Sequence, residues 1–198
     1  MSGDSRQTLS AERFGNAVRW AIELHGDQLR KGTAIPYASH LLAVAALVLE
    51  GGGSEDETIA AVLHDTLEDT DATARDIEDR FGSVVAQIVL ACTDTTESPK
   101  PPWRPRKEAY VRHLAEAATT DGALRVAAAD KLHNARSILA DLRREGDHLW
   151  TRFNAGPDDQ LWYYRSLVDI LRRRLPGPLT DELARVVADL ERAISSER

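Results

Sequence analysis

The stretch from Tyr37 to Glu50, "YASHLLAVAALVLE", is apolar nearly all round a helix and is stopped by Gly51-Gly52-Gly53. A helix without a polar face must be covered by other elements. It therefore reads as the buried helix of a core. The longest uninterrupted apolar run, Leu41 to Leu49, is nine residues, against the roughly 18 that a membrane-spanning helix needs. No membrane partner is expected.

The flanking segments repeat the helical pattern. Phe14, Val18, Ile22 and His25 lie at helical spacing, followed by Gly26 and a basic loop, Arg30-Lys31-Gly32, before Pro36. Ser54-Glu55-Asp56-Glu57 reads as a capping box, and Thr73-Ala74-Arg75-Asp76 repeats the same starting signal. Phe81-Gly82 ends the short helix that Thr73 begins, and Ser83 to Thr93 continues as another apolar helix. Four prolines between Asp94 and Pro105 predict a loop with no regular structure across Pro99 to Pro105. A loop of about a dozen residues is long enough to be functional. Helical patterning resumes over Arg106 to Ala118, Leu124 to Arg144, Asp159 to Arg173 and Thr180 to Ser195. No alternating strand pattern interrupts it, so the fold class is all-α, a helical bundle.

With 198 residues, 42% hydrophobic and 29% charged, the chain falls within one ordinary globular domain. We expect one domain over 1–198, with its core at about 14–141 and further helices over 142–198. The net charge of −7 argues against an extended nucleic-acid surface but allows a local basic pocket for a small phosphorylated molecule. The start, "MSGDSRQTLS", lacks the basic and apolar regions of a secretory signal, and Cys92, the one cysteine, has no internal partner. A reducing cytoplasm is the expected location.

The chemistry concentrates in "AAVLHDTLEDT", Ala60 to Thr70. Crowded acids repel, and buried acids cost several kcal/mol unless paired. A bound cation would reconcile Asp65, Glu68 and Asp69 with the apolar residues beside them. On one continuous helix, His64 and Asp65 would flank a single point, with Glu68 and Asp69 one turn further on. Imidazole with carboxylate suits Mn, Fe, Zn and related ions. His40, in "PYASH", opens the buried helix, and Asp130 follows the apolar run Val126 to Ala129. An acid in such a flank needs a partner, and a metal would serve.

His40, His64-Asp65 and Asp130 match in order and spacing the H…HD…D signature of the HD-domain metal-dependent phosphohydrolases. More narrowly, "HGDQLRKG", "PYASH", "LHDTLEDT", "RFG" and "ADKLHNAR" resemble the hydrolase domain of RelA/SpoT-type enzymes and the stand-alone small alarmone hydrolases. The likeness runs from about Phe14 to Asp141. It implies the HD-domain helical bundle, and removal of the 3′-pyrophosphate from (p)ppGpp or an adenosine analogue such as ppApp. By the same resemblance, His40, His64, Asp65 and Asp130 hold a divalent metal, typically Mn²⁺, with Fe, Zn, Co or Mg also compatible. Glu68 and Asp69 would position or deprotonate the attacking water.

The resemblance also gives Arg30, Lys31 and Asn134 as substrate contacts. Arg106 and Lys107 would reach the phosphates, unless Pro101 to Trp103 closes the site differently. An aromatic contact to the base falls on Tyr163 or Trp162. His25 and His133 are expected to pack behind the site, and Arg172-Arg173-Arg174 to complement a helix dipole. Leu41 replaces the proline that the family commonly carries after its first histidine. No stretch resembling an alarmone synthetase domain follows, so the chain is expected to degrade a small phosphorylated nucleotide rather than make one. The alternatives are an HD phosphohydrolase of other specificity, such as a nucleotidase or phosphodiesterase, and a non-catalytic nucleotide sensor.

Overall fold

The computed structural model describes residues 8–97 and 99–196, so most of the stretch on which the reading of the N-terminus rests lies outside it. Among the described residues ten helices follow in order: α1 (Ala11–His25), α2 (Ala38–Glu50), α3 (Glu55–Leu63), α4 (Thr66–Asp69), α5 (Ala74–Phe81), α6 (Ser83–Cys92), α7 (Trp103–Ala115), α8 (Asp121–Glu145), α9 (Pro157–Arg174) and α10 (Pro178–Ser196). A 3₁₀ segment, Gly146–Arg152, lies between α8 and α9. Among the described residues the only β pairing outside named strands is the isolated bridge Leu29–Pro36.

Local chemistry sets the boundaries. Ser54 Oγ accepts the Glu57 N–H while the Glu57 carboxylate accepts the Ser54 N–H, and Thr73 with Asp76 does the same for α5. Each such cap is worth about 1 kcal/mol. Gly52 and Gly82 take φ of +75° and +93°, which a side chain would resist. They turn the chain after α2 and between α5 and α6.

Two expected boundaries are corrected. Pro105 lies inside α7 rather than in the preceding loop. As the third helical residue it lacks an N–H that no intrahelical carbonyl would accept, so the helix loses nothing by it. The helix from Ser54 stops at Leu63 instead of carrying the whole acidic motif, and Asp65, at φ −95° and ψ −2°, opens a separate turn. His64 Nδ1 lies 2.8 Å from Ala61 O, the carbonyl that a continuing helix would give to the Asp65 N–H.

Two packing groups fill the interior. One gathers apolar residues of α1, α2, α3, α5 and α6, including Leu41, Ile59, Leu63, Ile77 and Val85. The other gathers α7, α9 and α10, including Leu114, Leu167, Leu171 and Leu183. Helix α8 serves both. Ala123, Val126 and Ala129 face the first group, while Leu124, Ala128 and Leu132 face the second. Burying each large side chain contributes about 1.5–3 kcal/mol, so α8 ties the halves together and carries Asp130 between them. Arg174 donates to Leu114 O at 2.9 Å and Thr119 O at 2.7 Å. It thereby complements the C-terminal end of α7 rather than its own helix.

No described helix is long and apolar enough to cross a membrane.

Candidate metal centre

Helices α2 and α8 and the junction of α3 with α4 bring four side chains to one point. His40 stands in the first turn of α2, His64 caps α3, Asp65 begins the next turn, and Asp130 lies mid-way along α8. His40, His64 and Asp130 are buried, at 0, 2 and 5% exposure. His40 Nε2 and His64 Nε2 are 3.2 Å apart. Asp65 Oδ2 lies 3.0 Å from His64 Nε2 and 3.5 Å from His40 Nε2. Asp130 Oδ1 lies 3.2 Å from His40 Nε2 and 3.6 Å from His64 Nε2.

The donor set fits a cation. Ala61 O can only accept, so the His64 proton sits on Nδ1 and Nε2 presents a lone pair. His40 turns Nδ1 to His133 Nδ1 at 2.7 Å, which likewise aims its Nε2 inward. Lone pairs and carboxylate oxygens this close repel unless a positive charge lies among them. Ligands bound at about 2.1 Å to one ion stand about 3.0–3.4 Å from each other, close to the separations here. His40, His64 and Asp65 could by themselves hold a metal ion.

A proton on His64 Nε2 would relieve the same crowding, and a metal ion taking that lone pair would have to displace it. Burial opposes charging His64, yet the carboxylates of Asp65 and Asp130 outweigh it and hold the imidazole pKa well above its ordinary value. Burial likewise opposes ionising Asp65 and Asp130. His64 and His40 hold Asp65 well below the carboxylate range, and Lys131 with the two histidines does so for Asp130.

A ring of partners fixes the four groups. Tyr37 Oη donates to Asp65 Oδ2 at 2.5 Å. Lys131 Nζ donates to Asp130 Oδ2, its ammonium 5.4 Å from the Tyr110 ring centroid. Asn134 Nδ2 donates to Asp130 Oδ1 at 2.5 Å, and Arg30 Nη2 donates to Asn134 Oδ1 at 2.7 Å. His133, beside His40 and Arg30, has its pKa lowered to about 4, by burial and then by those neighbours.

Helix α4 carries the two further acids. Glu68 Oε1 accepts the Asp94 N–H at 2.8 Å. Burial, with the charges of Asp94 and Asp65, pushes the Glu68 pKa up to about 7. Asp69 is exposed, and its Oδ2 accepts from Gln28 Nε2 at 3.1 Å. Lys100 Nζ stands 3.6 Å from Glu68 Oε2 and 3.3 Å from Asp69 Oδ1. His25 holds Gln28 Oε1 at 2.7 Å and stacks on Tyr37 at 5.1 Å.

The HD domain family model matches residues 17–161. This chain belongs to the HD domain family.

Within it, the chain is 36% identical over 154 residues to the guanosine-3′,5′-bis(diphosphate) 3′-pyrophosphohydrolase MESH1 of Xenopus tropicalis, covering 76% of this chain and 78% of the relative. It is 48% identical over 83 residues to the protein of the corresponding name from Aquifex aeolicus, covering 42% of this chain and only 12% of that much longer relative. Its structure matches, at a TM-score of 0.76 and 25% identity, that of a metazoan ortholog of SpoT that hydrolyses ppGpp. The alignment covers 94% of this chain and 99% of the other. A crystal structure from Listeria monocytogenes matches at a TM-score of 0.68 and 31% identity, covering 80% and 99%.

The remaining residues singled out by the sequence take different places in this HD domain. The Lys31 ammonium lies 5.6 Å from the Phe153 ring centroid. Arg106 and Lys107 both donate to Asp94 Oδ2. Tyr163 is buried among Trp103, Trp162 and Tyr164, with no hydrogen-bond partner for its hydroxyl. Trp162 is half-buried, with the Arg104 guanidinium 3.5 Å from its ring centroid. A cleft of about 510 Å³ lined by Leu47, Arg125, Leu132 and Leu179 lies on another face of α8 and touches none of the centre's residues.

Sequence reasoning passed over Tyr37, Lys131, Gln28, Asp94 and Lys100. A signal existed for three of them. Lys131 adjoins the acid in the Ala-rich run, Gln28 lies inside "HGDQLRKG", and Tyr37 lies inside "PYASH".

Proposed function

We propose that this HD-domain protein is a metal-dependent hydrolase that removes the 3′-pyrophosphate from a guanosine alarmone of the ppGpp type. The convergence of four donor atoms from His40, His64, Asp65 and Asp130, at 3.0–3.6 Å, carries the reading. The name shared by the Xenopus tropicalis and Aquifex aeolicus relatives gives the substrate class, and favours guanosine over adenosine. His40, His64, Asp65 and Asp130 would hold a divalent ion, for which Mn²⁺ is our choice.

Such an ion supplies Lewis-acid polarisation of a phosphoryl oxygen and acidifies water. The chain's own groups do the rest. Glu68, with a pKa of about 7, is poised to take a proton from the attacking water near neutral pH. Its Oε1 is held by the Asp94 N–H, which fixes the carboxylate's direction. Asp69, tethered by Gln28, orients the same water. Arg30 and Asn134 hold the phosphate and sugar oxygens, and Lys31 adds charge at the mouth. Water adds to phosphorus and gives a proton to Glu68, the bond from phosphorus to the 3′-oxygen breaks, that oxygen takes the proton from Glu68, and pyrophosphate leaves.

We also infer that the chain acts as one unit, since α8 belongs to both packing groups, and that it works in the cytoplasm, where Cys92 stays a buried free thiol. The experiment is pyrophosphate release from ppGpp and ppApp, with and without Mn²⁺, by the wild type and Asp65→Ala. Mn²⁺-dependent release from ppGpp, abolished in the variant, is expected. No turnover of either compound by Mn²⁺-loaded protein would overturn the reading.

A further inference from the structure

The segment joining α6 to α7 holds a carboxylate for which the proposed reaction has no direct use. The Asp94 side chain is 3% exposed. Its Oδ2 accepts from Arg106 Nη1 and Lys107 Nζ, while its Oδ1 is buried with no hydrogen-bond partner. An acid so enclosed persists only when its charge is compensated. Burial works against its ionisation, and Lys107 and Arg106 nonetheless keep its pKa below the ordinary value. The backbone N–H of the same residue is the donor to Glu68 Oε1. One residue thus links the start of α7 to the acid read as proton acceptor.

Helix α7 is itself anchored to α9. Trp103 packs on Trp162 and Tyr163 at centroid distances of 6.4 and 6.0 Å. Arg104 donates to Asp159 Oδ1 at 2.7 Å. The Lys107 ammonium is 5.1 Å from the Tyr163 ring centroid, so it is shared between that ring and Asp94. Taking either cation away to hold a phosphate would leave a buried anion short of compensation. Lys100, by contrast, reaches Glu68 and Asp69 from the middle of the segment that Asp94 and α7 hold at its two ends.

We propose that Asp94 is a positioning residue for Glu68, and that Arg106 and Lys107 act through Asp94 rather than by contacting the substrate. This rests on the hydrolytic role given to Glu68 above. A displacement of about 1 Å at a reacting group can cost up to about 100-fold in rate. Loss of this clamp therefore lowers kcat and spares KM.

The test compares wild type, Asp94→Asn, Arg106→Gln, Lys107→Gln and the Asp94→Asn/Lys107→Gln double variant, on ppGpp with saturating Mn²⁺. Expected are kcat values about 10- to 100-fold lower with KM within about threefold, and a double variant no worse than its worse single, as for residues in one network. The charges facing Glu68 are Asp65, Asp94, Lys100 and Lys131. Neutralising Asp94 removes one negative neighbour, so the acid limb of the pH–rate profile moves to lower pH in Asp94→Asn, which a general loss of structure would not produce. A raised KM with unchanged kcat in Arg106→Gln and Lys107→Gln would overturn the proposal, and so would additive losses. If Asp94→Asn does not fold, the two cation variants decide by the same KM and kcat criteria. Failure of the wild type to hydrolyse ppGpp would instead sink the hydrolytic reading. Hydrogen exchange at the Asp94 amide in Lys107→Gln then decides the positioning role, with acceleration of about tenfold or more supporting it and an unchanged rate overturning it.

Discussion

The Nε2 atoms of His40 and His64 face each other at 3.2 Å with a carboxylate oxygen on either side. Chelation should therefore cost stability as well as activity, because the unfolded chain does not assemble this set. An ion at 100 times its Kd adds about 2.7 kcal/mol, and a chain of this size gains about 2–4 °C in Tm per kcal/mol. Saturating Mn²⁺ should raise the Tm of the chelator-treated protein by about 5–10 °C in calorimetry. In His40→Ala the rise should be absent.

Tyr37 acts on the same centre at one remove, by donating to Asp65 Oδ2. Partners that orient a metal ligand are worth about 10- to 100-fold in affinity. Tyr37→Phe keeps the ring that stacks on His25 and should weaken Mn²⁺ binding by about tenfold in a calorimetric titration. Equal affinities would show that Asp65 needs no such support.

Glu68 gives stability a pH dependence of definite sign. Its folded pKa of about 7 lies above the ordinary 4.5, so the folded state holds the proton more tightly than the unfolded chain. The contribution is present in full below about pH 4.5 and is lost as pH rises through about 7. In metal-free protein, Glu68→Gln should raise stability at pH 8 by on the order of 3 kcal/mol and change little at pH 4.5. Urea unfolding at the two pH values reads this directly, while kcat of the metal-loaded variant should fall by about 100-fold or more.

Gly53 tests the junction between α2 and α3. A Cβ there would stand 2.4 Å from Val48 Cγ1 and 2.8 Å from Val48 O. Gly53→Ala should destabilise by about 1–3 kcal/mol, as overpacking of a filled core does. Thermal unfolding at matched pH would check it, and an unchanged Tm would mean that the turn opens without strain.

Much of this architecture could be read along the chain because the signals were local. The capping boxes at Ser54 and Thr73, and the glycines that end α2 and α5, act within four or five residues of themselves. The boundaries that sequence reasoning misplaced were settled by more specific circumstances. Pro105 is harmless because of its position in the first turn of α7, and α3 stops where the His64 ring claims a carbonyl. The 3₁₀ segment Gly146–Arg152 carries no apolar periodicity to announce it.

The same division runs through the candidate centre. The His64-Asp65 pair, an acid in an alanine run at Asp130 and a histidine opening a buried helix at His40 are local anomalies, and the resemblance to the H…HD…D signature joined them into one set before any fold was known. Nothing local reveals that Tyr37 reaches Asp65, that Gln28 reaches Asp69, or that Asp94 captures Arg106 and Lys107. Those pairings depend on how the segments that carry these residues are laid against one another. Each side chain's partner was chosen by the desolvation of charges that packing buried together, and that cost does not exist until the helices meet.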